Sequence, residues 1–493
     1  MSSHTHTDIA RRAVRGSAYG IVASGVTIAL GFLRAILLAR FLAPEQFGIF
    51  TLAMFYVVLL AQVQAFGLDQ ALISRQDATD RVEQTYVTLR IGLMLPAALF
   101  LVALAPVIGR FYPTMPALGG VLLLLAGLEL VKGLSTMQET WLTRDLAFRQ
   151  LALTNVVASV VMTLVAPTLA WLGWGVWALV AELGSGLLTR LGMTWGLFRV
   201  KFPRPGWDGT TVRWFWEYGK SAWGASNLYF LVDRFDDFWI GTTLGGVALG
   251  YYSRAYEFAR YPRRVVANPL VSVFQPVFAR LQADRLRLSQ AVYRAAYVIL
   301  RAGFLVAGAF ALVMPEFIHL VIGDQWMPML LTFRLMLVYT LLDALIVLGA
   351  QLFFAVGRPQ AFQRTALAQT LFFIPAVMIG AYLGGINGVA LAADGMLLVG
   401  CVVLYRYLRG VVDFSLARLV AWPLSALIIA GGTGLALEQF WLEGSTWATA
   451  AIKLVLFSGL FVGLLLIGER RDMLEGARWI GEQLRVKGMM RRP

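Results

Sequence analysis

The chain has 493 residues, 59% of them hydrophobic and only 14% charged, with a mean hydropathy of +0.70. Soluble domains carry roughly a quarter charged residues, so this composition excludes a soluble globular protein and points to an all-α polytopic membrane protein. The net charge of +14 does not signal nucleic acid, because Lys and Arg concentrate in short segments between apolar runs and accompany no RNA- or DNA-binding motif.

The first ten residues, MSSHTHTDIA, are polar, and RRAVR precedes the first apolar run. That run continues to about residue 40 without a small-residue cleavage site, which predicts a retained first helix rather than a secretory signal peptide. Apolar runs then fall near 17–41, 46–68, 86–108, 117–138, 151–172, 174–197, 219–243, 249–278, 291–314, 329–356, 362–383, 387–405, 417–437 and 447–468. About 14 membrane helices are expected; Pro262 and Pro269 interrupt the eighth, which leaves 12 or 13 open. The segment after 468 sets Met473, Leu474, Trp479, Ile480 and Leu484 among basic residues, a pattern that suits either an amphipathic helix on an anionic leaflet or a solvated tail. No loop exceeds about 15 residues, which leaves no room for an appended soluble domain.

With residue 1 in the cytoplasm, the inner loops hold Arg75, Arg81, Arg144, Arg149, Arg199, Lys201, Arg280, Arg358 and Arg406, while the alternate loops hold little beyond Arg110. The positive-inside rule therefore predicts an even number of spans with both termini cytoplasmic.

The chain also repeats itself. ARFLAPEQFGIFTLA (39–53) and GTTLGGVALGYYSRA (241–255) align at a shift of 202 residues (244 − 42), pairing Leu42 with Leu244, Gly48 with Gly250 and Phe50 with Tyr252. Six spans precede the second copy, so the copies share a membrane orientation, as in transporters whose substrate site lies between two lobes. The expected division is a lobe at 1–212, a second at 213–415, two extra helices at 416–468 and a basic tail at 469–493.

Charges inside the spans are the main candidates for chemistry, because an intramembrane charge is costly and usually faces a protein or water-filled interior. Arg34 interrupts the first span, and the repeat sets it opposite Asp236, a possible counter-charge. In the seventh span Ser226, Tyr229, Asp233, Asp236 and Asp237 recur at helical spacing, with Arg234 beside them. They suit either a cavity wall with an ion-coupling carboxylate or a structural ion network. In the eighth span Ser253, Tyr256, Glu257, Arg260, Arg263, Arg264 and Asn268 form one net cationic stripe, and Arg254 in the same span is a further cationic candidate. Planar guanidinium groups suit phosphate oxygens, although residues at the headgroup boundary also snorkel. Gln62, Gln64 and Asp69 line the second span; Glu129 and Lys132 sit three apart and suit a local pair, and Glu182, Asp343, Gln351 and Asp394 are scattered through others.

Other chemistries find no support. Cys401 is the only cysteine, and His4 and His6 lie in a polar tail while His319 sits near a span end, so neither a disulfide nor a metal site with three or four converging ligands is expected. EYGKS (217–221) fails as a phosphate loop because its first glycine would fall on Trp214. No cofactor is expected; transport is driven by a proton or sodium gradient, or by the substrate gradient itself.

The stretches LARFLAPEQFGIFTLA with FGLDQALISRQD, and VDRFDDFWIGTTLGGVALGYYSRAYEFARYP, resemble the Wzx-type polysaccharide flippases of the multidrug/oligosaccharidyl-lipid/polysaccharide exporter superfamily. The resemblance runs through most of the first 415 residues. It implies two six-helix lobes alternating between inward- and outward-open states around a cationic cavity in a bacterial inner membrane. The cargo it implies is an undecaprenyl-diphosphate-linked oligosaccharide for O-antigen, capsule or exopolysaccharide assembly, handed to polymerase and export machinery. It also implies that a lipid tail leaves between the first and eighth helices, where Arg34, Arg260, Arg263 and Arg264 lie, and that the last two spans form a lipid groove. Two other functions fit less well. A cation-coupled drug or small-molecule antiporter matches the acidic seventh span but not the arginine-rich eighth. A membrane polymerase or ligase requires a long extracytoplasmic loop that the chain lacks.

Overall fold

In the computed structural model, residues 2–75, 79–200, 202–413, 415–440 and 444–470 are described; the expected amphipathic tail lies almost wholly outside them. Among the described residues the secondary structure is helical, with no strand. In chain order the helices are α1 (Ser2–Phe41), α2 (Pro44–Ala65), α3 (Leu68–Ser74), α4 (Asp80–Phe111), α5 (Leu118–Arg144), α6 (Phe148–Trp171), α7 (Val176–Gly192), α8 (Gly209–Thr243), α9 (Gly245–Ala259), α10 (Asn268–Leu281), α11 (Arg285–Phe317), α12 (Leu330–Ala355), α13 (Pro359–Leu408), α14 (Leu416–Phe440) and α15 (Trp447–Gly468). Ten helices among the described residues are long and apolar enough to cross a membrane, and the chain is a multi-pass membrane protein.

That number and the fourteen expected apolar runs differ for local reasons. Gly384 and Gly385 leave helical geometry, with φ of +56° at Gly385, and kink α13 between the expected runs 362–383 and 387–405. α7 has only 17 residues, and α8 carries Asp233, Arg234, Asp236 and Asp237. The interrupted eighth run is resolved as α9, a π-helical turn at Arg263–Ala267 just after Pro262, and α10.

The helices cluster into two compact units. One comprises the chain up to Arg254 together with Phe373–Val389; the other comprises Ala255–Phe372 and the chain from Ala390 onward.

In the first unit, α1 packs along α6, α4 along α5, and α6 along α7. A core of Leu72, Tyr86, Val87, Met137, Trp141 and Phe215 ties α3, α4, α5 and α8 together, with the Tyr86 and Trp141 rings edge to face. The connector before α8 is held by Thr88, whose hydroxyl donates to the Gly206 carbonyl at 2.7 Å, and by Thr85, whose Oγ1 accepts from the Asp208 amide at 3.1 Å.

Asp208 then caps α8 by accepting from the Thr211 amide at 2.9 Å and from the Thr210 and Thr211 hydroxyls. Those hydrogen bonds, the Thr210 hydroxyl first, lower the carboxyl from its ordinary 3.8 to about 2. A depressed carboxyl stabilises the fold above its unfolded-state value near 4, and the contribution is lost as pH falls from there through 2. Asp208→Ala is expected to speed hydrogen exchange at the Thr211 amide at neutral pH. Asp208→Asn should keep the cap and slow exchange, and unchanged exchange in the alanine variant would contradict the capping role.

The two copies of the sequence repeat meet inside this unit. A Cβ built on Gly48 would strike the carbonyl of Gly246, and one built on Gly250 would strike the carbonyl of Pro44, both far inside van der Waals contact. These contacts are related by the repeat shift itself, since 246 − 44 and 250 − 48 both equal 202. α2 and the first turns of α9 thus approach backbone to backbone, possible only because neither glycine has a side chain. Beside this clasp, Tyr56 and Tyr112 share a 2.9 Å hydrogen bond, and Tyr112 reaches the Thr242 hydroxyl at 2.8 Å.

In the second unit α11 is the central post, packed by α10, α12, α14 and α15. Two buried ion clusters fix α14 and α15 to it. Lys453 of α15 lies 2.5 Å from Glu316 of α11 and 2.9 Å from Glu438 of α14. Arg301 of α11 pairs with Glu469 at 2.5 Å, donates to the Leu419 carbonyl and stacks on Tyr297. Positions 301 and 316 are 15 residues apart, about 22 Å along the helix, so the clusters hold the last two helices at two well-separated levels.

Candidate functional site

Arg34 sits on the face of α1 that packs on α6 and α7. Its Nε lies 2.6 Å from a Glu182 carboxylate oxygen on α7, and its Nη1 donates to the Thr163 hydroxyl of α6 at 3.3 Å. The counter-charge is therefore Glu182, not the Asp236 that the repeat suggests. Asp236 instead accepts from the Tyr252 hydroxyl at 2.5 Å and from the Asp237 amide at 3.0 Å.

Next to Arg34 a cavity of about 630 Å³ opens between α1, α6 and α7. Its polar walls are Ser24, Thr27 and Arg34 of α1, Asn155 and Ser159 of α6, and Arg190 of α7. Arg190 donates to Asn155 and to Glu139 of α5, the latter at 3.2 Å. Both arginines are thus braced by carboxylates, Glu182 and Glu139, that are not among the cavity walls; no Asp or Glu lines the cavity among the described residues. The volume is in the range of small-molecule sites, and two guanidinium groups with several hydroxyl and amide groups are chemistry that suits a polar anionic group.

The acidic face of α8 lies elsewhere in the same unit. Arg234 bridges Asp233 and Asp237, each at 3.2 Å, and Asp237 is buried. Three carboxylates, one guanidinium and the Tyr252 hydroxyl are grouped here, with Asp233 half exposed; the Ser226 and Tyr229 side chains lie outside the described residues. Asp69 is likewise engaged, accepting from the Tyr86 hydroxyl at 2.5 Å with Arg90 at 3.7 Å, and Gln62 is half-buried. Arg254 stacks over the Phe47 ring at 4.3 Å, within the repeat clasp.

The remaining arginines belong to the second unit and do not form one uniform stripe, because the π-helical turn changes the helical register between Arg260 and Asn268. Arg260 stacks on Tyr256 at 5.1 Å, Arg264 returns to Glu257 at 2.8 Å, and Arg263 crosses to Asp343 of α12. Tyr256 in turn meets Tyr339 of α12, ring centroids 5.6 Å apart. Glu129 and Lys132 form their expected local pair at 2.9 Å.

Sequence reasoning missed Arg190, Asn155 and Ser159. Arg190 was detectable, since it interrupts the 174–197 run as Arg34 interrupts the first, but the polar residues of α6 look like ordinary helix-packing Ser and Asn until α1 is laid against them.

The family model described as "Polysaccharide biosynthesis protein" matches residues 37–331. The chain is 30% identical to the succinoglycan biosynthesis transport protein ExoT of Rhizobium meliloti over 65% of each chain. It is 25% identical to the lipopolysaccharide biosynthesis protein WzxC of Escherichia coli over 79% of this chain and 78% of that one. Its fold is that of the lipid II flippase MurJ, with a TM-score of 0.75 at 13% identity over 94% of this chain and all of that one. A multidrug resistance transporter of the MATE family follows at 0.59 and 15% identity, over 79% of this chain and 97% of that one. With the family model covering more than half of its length, the chain belongs to the polysaccharide biosynthesis protein family.

Proposed function

We propose that this protein is a flippase that moves an undecaprenyl-diphosphate-linked oligosaccharide from the cytoplasmic to the periplasmic leaflet of a bacterial inner membrane. It does so for assembly of exopolysaccharide, capsule or O-antigen, without catalysing a covalent step. In this reading both termini are cytoplasmic and fourteen spans form two pseudo-symmetric lobes, 1–212 and 213–415, followed by the helices of 416–468 and a basic tail at 469–493. The pseudo-symmetric contacts of Gly48 and Gly250 support the repeat. A proton or sodium gradient drives the cycle, and a polysaccharide polymerase with its export machinery receives the cargo.

The observation that carries this reading is Arg34, an arginine within a membrane-spanning helix that lines a chamber without lining carboxylates. Guanidinium groups hold a diphosphate while the saccharide crosses among polar side chains and the prenyl tail stays in lipid. Arg254, Arg260, Arg263 and Arg264 supply further cations; their present partners, Glu257 and Asp343 among them, are groups that an arriving phosphate would displace. The acidic residues Asp233, Asp236, Asp237 and Glu257, with Gln62 and Asp69, are the candidates for ion coupling.

Deleting the gene tests the proposal. The expected result is loss of one surface polysaccharide and accumulation of its lipid-linked repeat unit on the cytoplasmic leaflet. Normal polysaccharide with no accumulating intermediate would refute it, and a drug-sensitivity phenotype alone would favour the antiporter reading.

A further inference from the structure

The chamber of the first unit is deeper than one phosphate needs, and its two arginines stand at different levels. From Gly20 to Arg34 its α1 wall spans 14 residues (34 − 20), about 21 Å along the helix. On α6, Arg190 is bonded to Asn155 and Arg34 to Thr163, eight residues apart (163 − 155), or about 12 Å. The hydrocarbon slab is about 30 Å thick, so the two guanidinium groups mark a shallow and a deep station. Arg190 lies nearer the face at which α1 begins. Between the stations Ser24, Thr27, Asn155 and Ser159 offer hydroxyl and amide groups, the partners that sugar hydroxyls require.

Resting on the proposed function and its cytoplasmic N terminus, we infer that this chamber is a capture site for the phosphorylated saccharide headgroup of an inner-leaflet lipid. Arg190 is the station at which the diphosphate first docks and Arg34 the deeper one it reaches next, and the serine, threonine and asparagine side chains meet the sugars that run ahead of it. The site lies within the first unit alone and does not include the arginines of α9 and its π-helical turn. Glu139 and Glu182 act from behind, fixing each guanidinium through one edge and leaving the planar fork's remaining donors for phosphate oxygens. Because no carboxylate lines the chamber among the described residues, it selects against cations.

The test uses the full chain in phosphatidylcholine nanodiscs, a lipid without net charge. Cys401 is the only cysteine, so a Cys401→Ser background carrying Thr27→Cys gives one thiol in the chamber wall. The Thr27 hydroxyl bonds only its own helix, to the Ser24 carbonyl, so its loss leaves α1 intact. Undecaprenyl diphosphate in the disc, at about nine times its Kd, is expected to slow modification of this thiol by a small methanethiosulfonate about tenfold, because only the unoccupied fraction reacts. Inorganic pyrophosphate in the buffer is the second arm: slowing by the lipid alone assigns the site to a lipid headgroup, and equal slowing by both assigns it to the anion. Arg190→Gln should abolish the protection. So should Ala152→Phe, which fills the chamber without touching a charge and serves if the arginine variant does not fold.

Equal modification rates with and without both probes, or protection that survives both substitutions, would overturn the inference. The flippase reading fails separately, when gene deletion leaves the polysaccharide and its lipid-linked precursor unchanged. A chain whose deletion blocks export but whose Thr27→Cys thiol is unprotected keeps its function and loses this capture site.

Discussion

Gly48→Ala and Gly250→Ala are each expected to lose folded protein, seen as a fall in thermal midpoint and in the monodisperse fraction of detergent-purified chain. Both glycines lie in helices, where alanine is intrinsically better by about 1 kcal/mol. The added methyl, however, would occupy the space of a backbone carbonyl, Gly246 for one and Pro44 for the other. A backbone carbonyl cannot change rotamer, so α2 and the first turns of α9 must part. Overpacking alone costs about 1–3 kcal/mol, and separating two backbones raises that, so the clash outweighs the propensity gain. Gly20→Ala is the control: it lies in α1 with nothing within 4 Å of its built Cβ, and it should leave the midpoint at or above wild type. Stabilisation by Gly48→Ala or Gly250→Ala would show that the clasp does not exist.

The second large effect concerns Lys453. Its side chain is 1% exposed and faces Glu316, itself 3% exposed, with Glu438 on the other side. Lys453→Met removes the cation and leaves two carboxylates together with no compensating charge. Breaking a buried pair from one side costs about 3–5 kcal/mol, because the remaining ion stays desolvated. The expected result is a large drop in thermal midpoint and proteolytic release of α15. Adding Glu316→Gln and Glu438→Gln should recover much of the loss, since an uncharged cluster carries no such penalty. A triple variant no better than Lys453→Met would place the effect in side-chain packing rather than charge. Read with the Arg301–Glu469 pair, the last two helices are structural members of the second unit, fixed to α11 at two levels.

How much of this was visible in the sequence depends on whether a feature is local. The apolar runs set the helices, and the two glycines at 384 and 385 already divided α13 into the expected runs. The shift of 202 identified two copies of one turn, and the contacts of Gly48 with Gly246 and of Gly250 with Pro44 are related by that same shift. The charge on Arg34 was flagged by its apolar surroundings. Its partner was not, because a repeat shift relates equivalent positions without saying which helices pack together. α1 lies along α6 and meets α7, so Glu182 takes the place that symmetry offered to Asp236. The eighth-span stripe assumed an unbroken 3.6-residue period; the π-helical turn at Arg263–Ala267 interrupts it, and the neighbours Arg263 and Arg264, about 100° apart on the helix, reach Asp343 and Glu257. The chamber itself was invisible in the sequence, because its polar walls come from three helices and no single one carries a distinctive pattern.

The central claim is that an intramembrane arginine handles a lipid diphosphate during transport. It is tested most directly in proteoliposomes whose inner leaflet holds a fluorescent undecaprenyl-diphosphate saccharide, read by quenching from an impermeant reagent outside. Wild-type chain should bring the inner-leaflet fraction within reach of the quencher. Arg34→Gln made together with Glu182→Gln, so that no lone carboxylate is left in the span, removes the positive charge beside Thr163 and should abolish that exposure, while Glu182→Gln alone should keep it. Equal exposure by the double variant and wild type, or none by wild type with its energising gradient imposed, would contradict the account.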